Sequence, residues 1–257
     1  MRPLPKGLVS NPKLEMFMEV EPNGIQLAVF AGLVHGLKPA MDMWIKPDHW
    51  TAFCRLVEYF GLHFHMNAFI DRTAKELDTL PSDVTNTTRA ALARSLDGNA
   101  AAHVFISKDP AFLAEATAYG WYPLLIDDYL VQKHVADFVP FGHALGYPSC
   151  CVEFFHQRNN WKSDNTYYAA YQRTQSKAHS FSNGLMRHTA FSLISHMPCS
   201  FHCATSIASA RQLYALIETL DKPFAEEINL RLASPFLCLS ELRIYRFEGT
   251  LVAVNCV

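Results

Sequence analysis

Two spacings organise the hydrophobic and polar positions of this chain. Trp50, Phe53, Cys54, Val57 and Phe60 recur at helical spacing. Pro47 suits the first turn of that helix, Asp48 its positive end, and Gly61 its stop. The period then changes to two. Over residues 62–70, Leu62, Phe64, Met66 and Ala68 share one strand face, and His63, His65, Asn67 and Phe69 the other. Residues 71–98 read as helix in pieces, broken at Pro81 and Gly98. Residues 101–107 predict a second strand. Asp109-Pro110 starts a helix through Tyr119 that Gly120 ends, and residues 122–126 predict a third strand, closed by Asp127-Asp128. Strand, helix and strand on short connections suggest a βαβ unit with parallel strands.

The rest of the pattern is plainer. Residues 1–24 are rich in proline and read as an irregular arm, and residues 25–34 as a strand or short buried segment. Residues 129–230 read as mostly helical. Residues 242–247 and 250–254 flank Glu248-Gly249, a hairpin turn. The expected fold is α/β (α+β): an N-terminal βαβ-type lobe, 1–140, then a mostly helical, cysteine-bearing lobe with a terminal hairpin, 141–257. One continuous domain is the alternative. There is no internal repeat, low-complexity tract or long Gly/Ser linker.

Composition narrows the classes. With 257 residues, 50% hydrophobic and 12% aromatic, the chain builds a substantial core. A net charge of -2 argues against a sequence-independent nucleic-acid binder, whose affinity comes from neutralising phosphates. No apolar run reaches the roughly 18 to 20 residues of a membrane span. The opening MRPLPKGLVSNPKLE lacks an apolar h-region, so we expect no signal peptide and a cytoplasmic location. In such a reducing setting, seven cysteines and twelve histidines suggest metal or chemistry before disulfides.

Four cysteines form two groups, Gly146-Tyr147-Pro148-Ser149-Cys150-Cys151 and Pro198-Cys199-Ser200-Phe201-His202-Cys203, each leading into a helical run. In both, a proline fixes the entry, a serine is available as N-cap, and the thiols fall at the first turn. A helix N-terminus lowers thiol pKa and offers N–H groups to thiolates. Two such ends facing each other make a four-sulfur site. Neighbouring helical side chains diverge by about 100°. Two ligands of one zinc lie only about 3.8 Å apart, whereas the sulfurs holding a four-iron cluster lie roughly 6 Å apart. On that ground we favour an iron–sulfur (4Fe-4S) cluster on Cys150, Cys151, Cys199 and Cys203, with zinc as the alternative. Cys54 and Cys238 read as core; Cys256 is terminal.

The strings LGYPSCCVEFF and PCSFHC resemble motifs of an uncharacterised prokaryotic family with GYP-x-CC and PCS-x-x-C signatures, a resemblance that implies no activity. The vicinal pair is also similar to tandem cysteines that hold four-iron clusters in respiratory-type oxidoreductases. A radical-SAM pattern is not present, since Ser206 stands where its third cysteine is needed.

His196, His202 and Glu153 are candidates for acid/base chemistry beside the cluster. The polar residues of 167–188 are candidates for a substrate side, with Arg173 and Lys177 at i,i+4 able to hold an anion or simply to be solvated. His63 and His65, with Asp127, allow a separate mononuclear iron site. No P-loop, G-x-G-x-x-G or G-x-S-x-G motif occurs. The leading expectation is a cluster enzyme, of oxidoreductase or lyase/transferase type, that acts on a small-molecule substrate by redox or Lewis-acid chemistry, served by an electron donor if redox. The others are a mononuclear metal enzyme and a non-catalytic, zinc-stabilised interaction module.

Overall fold

The computed structural model describes residues 4, 7–71, 91–92, 100–120, 122–126, 129–133, 138–159, 166–175, 177–240, 243–247 and 251–253. The class is mixed α+β. The chain divides into two compact units, residues 38–146 and residues 1–37 with 147–257. By contact, therefore, the first 37 residues belong with the cysteine-bearing part, where the sequence reading drew one boundary near residue 140.

The 38–146 unit is built on an antiparallel sheet. Its strands are β1 (Ala40–Ile45), β2 (His63–Asp71), β3 (Ala91–Leu92) and β4 (Ala100–Ser107), in the order β1-β4-β2-β3. Strand β4 is central and buried at every position, which explains its nearly unbroken apolar run. Both β1 and β2 pair antiparallel with β4, so they run parallel to each other with β4 between them. Helix α3 (Trp50–Phe60) joins them. A β–α–β succession is thus present, but split by an inserted strand. The expected parallel neighbours are not found: every described pairing is antiparallel, and β5 (Tyr122–Ile126) pairs with β6 (Tyr129–Lys133) instead of β4. Five residues or so per strand and a two-residue connection favour that hairpin over a crossover.

Local signals in this unit act as read. A one-turn 3-10 helix at Pro47–His49 leads into α3, and Gly61 closes α3 at φ 59, a conformation that suits glycine. The buried face of α3 is Phe53, Leu56 and Val57. Cys54, one step around the helix from Phe53, is exposed, which corrects its expected core position. Asp109 caps α4 (Pro110–Tyr119) by accepting from Ala111 N at 2.8 Å. Helix α5 (Phe138–Ala144) ends the unit. Of residues 71–98, expected as helical pieces, Asp71 and Ala91–Leu92 are strand and the others lie outside the described residues.

The other unit starts with two helices where the sequence reading placed an irregular arm and a strand: α1 (Pro12–Val20) and α2 (Leu27–Val34). Asn11 caps α1 through Lys13 N, and Leu14, Phe17 and Val20 are its buried side chains. Seven of the eight α2 residues are buried, so no amphipathic period marks it. The helices α6 (Ser149–Asn159), α7 (Thr166–Gln172), α8 (Ala204–Leu220) and α9 (Lys222–Leu232) follow. A three-stranded antiparallel sheet comes last, β7 (Phe236–Ser240), β8 (Arg243–Phe247) and β9 (Leu251–Ala253). The expected β8–β9 hairpin is present; its turn lies outside the described residues, and β7 is added to it. The buried Asp221 ties the ends of this unit together by accepting from Ser10 N at 2.6 Å, Asn11 N at 2.9 Å and Phe224 N at 3.1 Å.

Residues 173–203 do not continue the helices, contrary to the helical reading. Among the described residues there they hold two one-turn 3-10 helices, Ser180–Ser182 and Gly184–Met186. Side chains satisfy much of the backbone instead. Ser182 Oγ donates to Phe201 O at 2.6 Å, Ser192 Oγ to Ile194 O at 2.6 Å, and Phe201 N donates to Thr174 Oγ1 at 2.9 Å. Among the described residues no helix is long and apolar enough to cross a membrane.

Candidate metal centre

Cys150 and Cys151 stand in the first turn of α6. Pro148 accepts there from Cys151 N at 2.8 Å and Val152 N at 2.9 Å, so the helix begins on the proline carbonyl and Ser149 is already helical. The second group is built differently. Cys199 and Ser200 bend and Phe201 and His202 turn, with Cys203 N donating to Ser200 O at 3.1 Å. Cys203 is the N-cap of α8, at φ -64 and ψ 111, and its carbonyl accepts from Ile207 N at 3.0 Å. Cys199 precedes it by four residues. Gly184 lies where a Cβ would meet Pro198 Cδ at 2.8 Å, so the entry to this group rests closely on a glycine backbone.

The two groups converge. The ligand atoms of Cys150, Cys151, Cys199 and Cys203 all lie within 4.8 Å of one another. Cys150 and Cys151 Sγ are 3.9 Å apart, and each is 3.6 Å from Cys203 Sγ. The thiols are free, far beyond the about 2.05 Å of a disulfide. Tetrahedral zinc with Zn–S near 2.3 Å requires edges of about 3.8 Å. The vicinal pair, expected to diverge, meets that spacing.

Electrostatics among the four thiols follow from this crowding. Hydrogen bonds from Cys151 and Cys199 hold the Cys203 thiol far below its ordinary pKa. Cys151 is driven well above it, first by its bond with Cys199, then by Cys203 and burial. For Cys199, the Cys151 bond lowers the pKa, but Cys203, burial and the adjoining sulfur charges outweigh it and leave it pushed up to about 12. The Cys203 thiolate is thus favoured by its neighbours, whereas the same contacts and burial favour the protonated forms of Cys151 and Cys199.

A second layer supports the sulfurs. Cys199 N donates to Cys151 Sγ at 3.3 Å. Ser206 Oγ lies 3.3 Å from Cys151 Sγ and 2.8 Å from His196 Nε2. If the hydroxyl proton serves a Cys151 thiolate, His196 must donate from Nε2 to Ser206 Oγ, which fixes the imidazole tautomer. His196 is buried, with the Tyr147 ring 5.3 Å from its own. Ser206 was noticed in the sequence only as a missing cysteine. Its signal is spacing, since three residues after Cys203 it falls one turn along the same helix side.

The other candidates lie elsewhere. His202 is exposed, with Nδ1 3.2 Å from Lys177 O. Glu153 is exposed and accepts from Gln157 Nε2 at 2.7 Å. Arg173 and Lys177 do not share a helix, because α7 ends at Gln172; the Arg173 guanidinium lies 4.9 Å from the Phe154 ring centre. His63 and His65 are exposed on β2, and Asp127 lies outside the described residues. Among the described residues, the four cysteines are the one group of three or more such side chains close enough to share an ion. Cys238 is half-buried against the core cluster of Phe154, Leu185, Met197 and Phe201. Cys256 lies outside the described residues. The chain matches no family model, no curated protein and no solved structure.

Proposed function

We propose that this chain is a metal–thiolate protein whose four cysteines bind one tetrahedral ion, zinc, in the unit formed by residues 1–37 and 147–257. The observation that carries the proposal is the 3.6–3.9 Å spacing of the Cys150, Cys151 and Cys203 sulfurs. It equals the edge of a zinc tetrathiolate within about 0.2 Å. A four-iron cluster, the reading favoured from sequence, needs each of these pairs to open by about 2 Å. Four sulfurs fill the coordination shell and leave no position for a substrate oxygen, so this ion organises the protein and presents thiolates instead of polarising a carbonyl. It joins the start of α6, the turn at Cys199 and the cap of α8.

Anaerobic purification with metal and sulfide analysis tests this. One zinc per chain, no acid-labile sulfide and a colourless protein are expected. Cobalt substitution should give the intense visible bands of a tetrahedral sulfur site. A brown protein with four iron and four sulfide per chain overturns the proposal in favour of a cluster.

A further inference from the structure

The four sulfurs are unequal. Cys151 is 1% exposed and faces an N–H and a hydroxyl. Cys203 is 7% exposed, and Cys199 is half-buried and packs against the core. Cys150 is exposed at the first turn of α6. Among the described residues its Sγ has polar contacts with the Cys151 and Cys203 sulfurs alone. N–H and O–H donors draw electron density from a thiolate, and burial blocks approach. Cys151 has both restraints, Cys203 and Cys199 are shielded by packing, and Cys150 has an open approach. A metal ligand of this type is the thiolate, the form of sulfur that attacks carbon.

We propose that Cys150 is an alkyl-accepting nucleophile, a metal-held thiolate that reacts with soft carbon electrophiles bearing a leaving group. The inference rests on the zinc reading above. In the step, a Cys150 sulfur lone pair forms the S–C bond, and the electron pair of the breaking carbon–leaving-group bond departs with the leaving group as its anion. No oxidant or reductant is needed. The product is a neutral thioether, a weaker ligand, so the negative charge around the ion falls by one.

The test uses the full zinc-loaded chain at pH 6.5 with limiting iodoacetamide, followed by mass-spectrometric mapping of each cysteine and zinc analysis of the same sample. Cys54, exposed and outside the site, is the internal reference. Cys150 should react at least tenfold faster than Cys54 and ahead of Cys151, Cys199 and Cys203. If zinc is present and Cys150 reacts no faster than Cys54, or another site cysteine reacts first, the nucleophile is overturned while the zinc site stands. If the sample carries no zinc, the site reading itself fails, and this inference with it.

Discussion

Strand β4 and the segment 173–203 are both largely buried, yet they are held in different ways. Every residue of β4 is buried, and its backbone is paired on both sides by β1 and β2. Among its described residues the 173–203 segment has two 3-10 turns, and Thr174, Ser182, Thr189 and Ser192 add separate side-chain bonds to its turn backbone. A ladder is cooperative and tolerates the loss of one bond. A chain of separate side-chain bonds does not, and each costs about 0.5–1.5 kcal/mol when lost. Such a segment gains most from an external clamp, and Cys199 and Cys203 would place the proposed ion at its end.

The largest way to break this comparison is to remove the ion. Chelation, or Cys151→Ala, should lower hydrogen-exchange protection across residues 177–203 at least tenfold and leave the amides of β1, β2 and β4 unchanged. Equal loss in the sheet would show that the metal does not distinguish the two regions. Next in size are paired core truncations. Phe105→Ala in β4 and Phe201→Ala beside the cysteines remove side chains each 1% exposed. Each should cost about 3–5 kcal/mol in denaturant unfolding. Only the second should also weaken zinc retention in a chelator competition.

Ser206→Ala sharpens the account further. It removes the hydroxyl between His196 and Cys151, and outer-layer losses of this kind cost about 10–100-fold in metal affinity. Zinc competition should show that loss without a change in the sheet's exchange. Gly184→Ala should act by crowding Pro198 and cost about 1–3 kcal/mol, read as a lower unfolding midpoint. A separate response to pH belongs to the sheet-bearing unit. Burial holds the Lys38 ammonium down to about 7, with Asp42 opposing. Between about pH 7 and 10 the unfolded chain therefore binds the extra proton, and stability should rise with pH. Lys38→Met should flatten that slope in a series of unfolding curves, while chelator sensitivity of 177–203 is retained.

How much of this was legible depends on whether the cause is local. Helices α3 and α4 announce themselves through Pro47, Asp109-Pro110, Gly61 and Gly120, each acting on its own neighbours. Strands β2 and β4 show through composition and period. The insertion of β4 between β1 and β2 depends on distant pairing and left no local mark. Helix α1 had its cap and proline, Asn11 and Pro12, but the proline-rich surroundings obscured them. Helix α2 is buried nearly all round and so has no period to read. The segment 173–203 carries helix-compatible residues, yet Ser182, Thr189 and Ser192 spend their hydroxyls on nearby backbone. At the site, the four cysteines were evident from their helix-entry motifs. The sulfur spacing was not, because Cys203 comes from the start of another helix and meets Cys150 and Cys151 only through tertiary packing.

The central claim is that one ion joins the two cysteine groups. X-ray absorption at the metal edge of the purified chain addresses it directly. The account predicts four sulfurs at about 2.3 Å around zinc and no metal–metal shell. An iron edge with metal–metal scattering, or a zinc shell containing nitrogen or oxygen in place of any of the four sulfurs, would contradict it.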